Sequence, residues 1–282
     1  FGDGNTSTDR NATHTYAAAG TYSVSLNASN VYGWNISTVT DAVRVLSTPV
    51  ANFTYAPNEG NTPLVVQFND TSLGNVTAWS WDFGDGNTST DRNPVHIYAS
   101  AGVYTVNLNA SNAYGWNVLT IMDAVRVLPA PVADFTFAPN EGNTPLTVQF
   151  NDTSLGNVTT WNWDFGDGNA STDRNITYTY AAAGTYSVNL NVSNAYGYNM
   201  FTVTDAVRVL SAPVAGFTYA PSEGNAPLTV QFNDTSIGNI TAWSWDFGDG
   251  SNSTAQNPVH TYAVVGTYSV SLNASNAYGY NV

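Results

Sequence analysis

The stretch WDFGDGNTSTD, Trp81 to Asp91, sets Asp82, Asp85, Asn87 and Asp91 close together along the chain. Clustered carboxylate and amide oxygens are the donor set that calcium prefers. The same residues have a second use. Asp-Gly is a hairpin-turn signal, and a short carboxylate readily accepts backbone N–H bonds from its own loop. The copies of the stretch weigh toward the turn: Asp91 matches Asp9 and Asp173 but becomes Ala255, and Asn87 becomes Ser251. Calcium is the only cofactor the residues suggest. His14, His96 and His260 occupy one repeat position, where the remaining copy has Tyr178. Tyrosine cannot replace a general base, whereas one packed aromatic can replace another. Serines lack a plausible base, and zinc lacks cysteine and enough histidine. No catalytic residue is expected.

The copies themselves are regular. FGDG begins at Phe1, Phe83, Phe165 and Phe247, an interval of 82 residues. Such an interval is the signature of an array. Two copies are whole, 51–128 and 133–210. Residues 1–46 hold the C-terminal part of a copy, and 215–282 hold a copy without its last strand. The expectation is a window within a longer polypeptide.

Each copy reads as half-buried strands. In YTVNLNAS, Tyr104, Val106, Leu108 and Ala110 face one way and Thr105, Asn107 and Asn109 the other. PLVVQFND and AWSWDFG alternate likewise, the latter placing Trp79, Trp81 and Phe83 on one face. A period of two marks antiparallel strands, and several short ones between Gly, Pro and Asn turns predict an all-β sandwich. The linkers LSTPVANF, LPAPVADF and LSAPVAGF each contain proline, which favours a semi-rigid string of beads.

The chain has six arginines, no lysine and 20 acidic residues, for a net charge of −14. That surface repels nucleic acid and anionic lipid, so no nucleic-acid partner and no membrane insertion are expected in this window. Cysteine is absent, and without lysine no Lys–Asn isopeptide crosslink can form. Asn-x-Ser/Thr sequons occur at eighteen positions, several in register: Asn27, Asn109, Asn191 and Asn273; Asn69, Asn151 and Asn233; Asn75, Asn157 and Asn239; Asn5, Asn87 and Asn169, with Asn252 shifted by one. N-glycans there require an extracellular or cell-surface location. The alternation puts Asn52, Asn69 and Asn109 on the outward face.

Trp34, Tyr114, Trp116, Tyr196, Tyr198, Tyr278 and Tyr280 follow a strand end. They either cover the end of the sandwich and pack on the linker, or stand exposed as platforms for a neighbouring subunit or extracellular polysaccharide.

WDFGDG, preceded by PLTVQFNDTS and followed by HTYAVVGTYSVSLNASNAYG, resembles the PKD (polycystic kidney disease) domain, most closely the tandem repeats of archaeal surface and surface-layer-type proteins. The resemblance covers essentially the whole chain. It implies tandem immunoglobulin-like sandwiches of seven strands outside the cell, serving as spacers, adhesion modules or accessory domains of secreted hydrolases. The function expected is a non-enzymatic, glycosylated array that self-associates into a filament or lattice. A carbohydrate-binding adhesin stalk, or the spacer of a larger secreted enzyme, is the alternative.

Overall fold

The computed structural model describes residues 1–282, all strand and turn. The chain forms two compact units, Phe1–Pro129 and Ala130–Val282. In the first unit, β1 (Gly20–Asn30) and β2 (Gly33–Val45) form a lone hairpin. A complete copy follows: β3 (Phe53–Ala56), β4 (Glu59–Asn61), β5 (Leu64–Asp70), β6 (Ala78–Asp82), β7 (Thr88–Ser89), β8 (Val95–Tyr98), β9 (Gly102–Asn112) and β10 (Gly115–Leu128). One sheet has the order β3-β5-β8 and the other β4-β10-β9-β6-β7. Pairing is antiparallel except β4 on β10.

The second unit opens with the same copy: β11 (Phe135–Ala138), β12 (Glu141–Asn143), β13 (Leu146–Asp152), β14 (Thr160–Asp164), β15 (Ala170–Ser171), β16 (Asn175–Tyr180), β17 (Gly184–Asn194) and β18 (Gly197–Leu210). The last copy has β19 (Phe217–Ala220), β20 (Leu228–Asp234), β21 (Ala242–Asp246), β22 (Asn252–Ser253), β23 (Val259–Tyr262), β24 (Ser271–Asn276) and β25 (Gly279–Asn281).

The alternation read from the sequence is the burial observed. In β9, Val106, Leu108 and Ala110 are buried and the residues between them are not. Facing side chains from both sheets close a separate core in each of the last three copies. Trp81, Trp163 and Trp245 are fully buried at the centres, with Phe68, Phe150 and Phe232 packed on them. The other tryptophan of each pair, Trp79 or Trp161, is only half-buried, at the margin of the core. There Arg92 and Arg174 lie 5.6 Å above the rings, while each also pairs at 3.1 Å with a shielded carboxylate, Asp70 or Asp152. The fourth copy has Gln256 instead, which donates to Asp234 at 3.0 Å.

In the fourth copy no strand pairs with the stretch before Ser271, and Phe217 and Leu228 are less buried than Phe135 and Leu146. A groove in this copy is lined by Phe217, Tyr219, Leu228 and Tyr268.

Candidate functional site

The Gly-Asp-Gly turn is held by its own side chains. Asp82 Oδ1 accepts from the Gly84 N–H at 3.0 Å, and Asp85 Oδ1 from the Asn87 N–H at 3.0 Å. Asp85 Oδ2 accepts from Asn87 Nδ2 at 3.0 Å and lies 2.8 Å from His96 Nε2. The imidazole stacks flat on Phe83, 4.1 Å between centroids. Below it, Tyr98 donates to the Phe83 carbonyl at 3.1 Å, and Trp81 Nε1 reaches the Asp91 carbonyl at 2.8 Å. Of the four calcium candidates, Asp82 and Asp85 thus use oxygens on the loop itself, and Asp91 contributes a carbonyl to the tryptophan. No three carboxylate or imidazole groups of the chain converge.

The histidine position is filled by a packed aromatic with a polar tip. In the third copy Tyr178 stacks on Phe165 at 4.0 Å, and its hydroxyl donates to Asp167 Oδ2 at 2.6 Å. Burial and that carboxylate push the Tyr178 phenol up to about 12. Histidine and tyrosine are interchangeable here because each offers a flat ring and a polar atom in hydrogen-bond contact with the carboxylate, at 2.8 Å for His96 and 2.6 Å for Tyr178. The carboxylate partner escaped the sequence reading, although an Asp stands eleven positions before every His or Tyr of this set.

This pairing gives a pH dependence. Burial alone would push the Asp85 carboxyl up, but hydrogen bonds from His96 and from the Asn87 backbone and amide outweigh it and hold the group below its ordinary value. For Asp249 the His260 hydrogen bond is the largest influence, in the same direction. A carboxyl depressed in the folded state adds stability above its unfolded value, and that stability is lost as pH falls through the native value. Melting temperatures should therefore fall as pH drops below about 4, the unfolded carboxyl value. A D85N/D249N variant should melt lower at neutral pH and show a shallower acid decline; an unaltered slope would mean the pairs contribute nothing.

Sequon placement is mixed. Asn5, Asn27, Asn69, Asn87, Asn151, Asn169, Asn233 and Asn252 are exposed, as are Asn52 and Asn75. Asn157 and Asn239 are half-buried. Asn109, Asn191 and Asn273 do point to the outer face, but they are half-covered and their side-chain carbonyls are buried without a hydrogen-bond partner. They sit on the middle strand, where neighbours on both sides crowd them; Asn109 lies opposite Ser80 and Val118.

The aromatics divide into two sets. Trp34, Trp116, Tyr198 and Tyr280 stand on the outer face, Trp116 at 71% exposure. In β10, Trp116 shares that face with exposed Val118, and Met122 beside the bulge is exposed as well. Because β4 covers only Arg126–Leu128, the strand from Gly115 to Met122 is an open edge of its sheet. β18 repeats this with Tyr198 and Met200, since β12 reaches only Arg208–Leu210. Tyr114 belongs to the other set, at the hairpin tip, and is 75% exposed; Tyr32 is more exposed still, and Tyr196 and Tyr278 less. At the Tyr278 tip Asn276 hydrogen-bonds Asn143 of the preceding copy, so in this pair the tip meets the neighbouring sandwich.

The profile of the PKD domain matches residues 1–45, 47–127, 128–209 and 211–282. The chain belongs to the PKD domain family. Polycystin-1 from Homo sapiens is 25% identical over 95% of the chain, which spans 6% of that protein. Collagenase ColA from Bacillus cereus is 48% identical over 15% of the chain and 4% of its own length. Pre-pro-metalloprotease PrtV from Vibrio cholerae is 32% identical over 32% of the chain and 10% of its own length. The PKD chain therefore spans a tenth or less of these relatives. An I-band fragment of titin superposes with a TM-score of 0.58 at 14% identity, over 84% of this chain and 96% of that one. The shared fold is the tandem immunoglobulin-like sandwich. No helix of the PKD array is long and apolar enough to cross a membrane.

Proposed function

We propose that this PKD array is a non-enzymatic structural component of the cell exterior, glycosylated at its exposed sequons, which spaces, shields and self-associates into a filament or surface layer. The observation that carries this reading is the open edge strand, with Trp116, Val118 and Met122 in one copy and Tyr198 and Met200 in the next. An edge of unpaired backbone beside exposed apolar side chains is a template for another strand. Its recurrence at 82 residues suits a partner of the same period, and weak contacts repeated along an array add by avidity. The lysine-free, acidic surface and exposed sequons fit a glycan-coated exterior.

Native material should form ordered filaments or sheets under the electron microscope, and glycopeptide mapping should find glycans at Asn69 and Asn151. Monodisperse monomers at high concentration would refute self-association.

One observation favours a second reading. Trp116 is exposed enough to stack on a sugar ring, and two relatives are named as a collagenase and a metalloprotease. As a carbohydrate-binding stalk or the spacer of a secreted enzyme, the array would bind selected glycans on a glycan array and lose them with Trp116→Ala. Absence of any selective binding removes this reading.

A further inference from the structure

Within the second unit, the β24–β25 turn of the last copy sits on strand β12 of the copy before it. Asn143 Nδ2 donates to Asn276 Oδ1 at 3.0 Å, and Asn276 Nδ2 returns a bond to Asn143 Oδ1 at 2.9 Å. The remaining capacity of Asn276 is used inside its own sandwich: Nδ2 also donates to the Asn239 carbonyl at 2.7 Å, and Oδ1 also accepts from the Tyr278 N–H at 2.8 Å. Beside the amides, the Tyr278 phenol lies near Glu141, which Arg208 holds at 3.3 Å. Gly279 approaches so closely that a Cβ there would lie 3.3 Å from Asn143 Nδ2.

The internal bonds of the turn do not depend on this contact. In the first unit Asn112 makes the same internal bonds, to the Asn75 carbonyl at 3.0 Å and from the Tyr114 N–H at 2.9 Å. Tyr114 there is 75% exposed, whereas Tyr278 on its strand is 48% exposed. A preformed tip loses little freedom on docking.

We propose that this contact is a joint that fixes the angle between consecutive sandwiches, with the reciprocal Asn143–Asn276 amide pair as its key. The partner it fits is another repeat bearing a Glu-Gly-Asn edge. Covalent linkage alone leaves neighbouring domains free to reorient, and relative motion is the default for small polar interfaces. Here the chain crosses between copies at Ser211–Val214, and the joint attaches them at a second place. Paired amides satisfy both donors and acceptors in one relative orientation, and any tilt leaves half-buried polar groups unpaired. This inference concerns stiffness and stands apart from what the array attaches to.

The chain has no cysteine, so spin labels can be placed in the full polypeptide through Ala182→Cys and Val264→Cys, both on exposed turns. Pulsed electron-electron resonance should give a narrow distance distribution. Asn143→Ala should widen it by about twofold or more with the melting temperature of each sandwich retained, and Tyr278→Phe should widen it less. If Asn143→Ala lowers the melting temperature, Tyr278→Phe alone carries the test, because it keeps the ring and removes only the hydroxyl beside Glu141. A broad distribution in the parent overturns the joint, and so does an unaltered width in the variant that carries the test.

Discussion

Trp163→Ala is expected to melt the third repeat while leaving the others folded. The indole is fully buried, meets Phe135 edge-on at 5.1 Å, and donates to the Asp173 carbonyl at 2.8 Å. Truncating such a side chain costs about 3–5 kcal/mol, from lost transfer energy and the cavity left behind. The Asp173 carbonyl also loses its donor. A domain of this size holds roughly 0.05–0.15 kcal/mol per residue, about 4–12 kcal/mol in all, so the loss is a large part of the total. With no disulfide available, nothing covalent compensates. Calorimetry should show one component transition displaced downward by roughly 15–30 °C. A shift of only a few degrees would mean that the sandwich does not depend on its central indole.

Gly166→Ala is expected to be nearly as damaging, for a backbone reason. Gly166 has φ +80°, and a Cβ there would lie 2.4 Å from the Ser187 carbonyl oxygen on β17. The left-handed conformation costs an L-residue about 1–2 kcal/mol, and forced displacement of packed backbone adds about 1–3 kcal/mol. Gly168 supplies the control: its φ is +91°, but nothing lies within 4 Å of the added atom. Gly168→Ala should therefore cost only the conformational part. Chemical denaturation of the two variants separates the effects, and equal losses would show that the close approach to β17 is unimportant. The contrast also explains the motif. Its first glycine lets the turn lie flat on β17, which brings Asp167 to Tyr178, as the equivalent turn brings Asp85 to His96.

A sandwich that depends on one indole and one glycine tolerates little change inside, yet its surface is free to vary. The fourth copy shows this: Gln256 replaces the arginine over the outer tryptophan, and Trp243 Nε1 donates to Asp234 at 2.8 Å, whereas Trp79 Nε1 and Trp161 Nε1 have no hydrogen-bond partner. An array of such modules keeps its fold while its outer face changes from Trp116 to Tyr198.

Much of this was legible in the residues. The 82-residue interval, the alternation in YTVNLNAS and the Gly-Asp-Gly turn identify repeated antiparallel sandwiches, because period and turn chemistry are properties of the local chain. Alternation also says which side of a strand a residue occupies. It does not say what lies beside that residue across the sheet. Asn109 faces outward as its period requires, but its half-burial depends on strands β6 and β10, which approach from elsewhere in the sequence. The bond between Asp85 and His96 likewise needs β8 in the opposite sheet to present its ring over Phe83. Only the tertiary structure could bring Asn143 and Asn276 together, since their contact crosses 133 residues and two sandwiches.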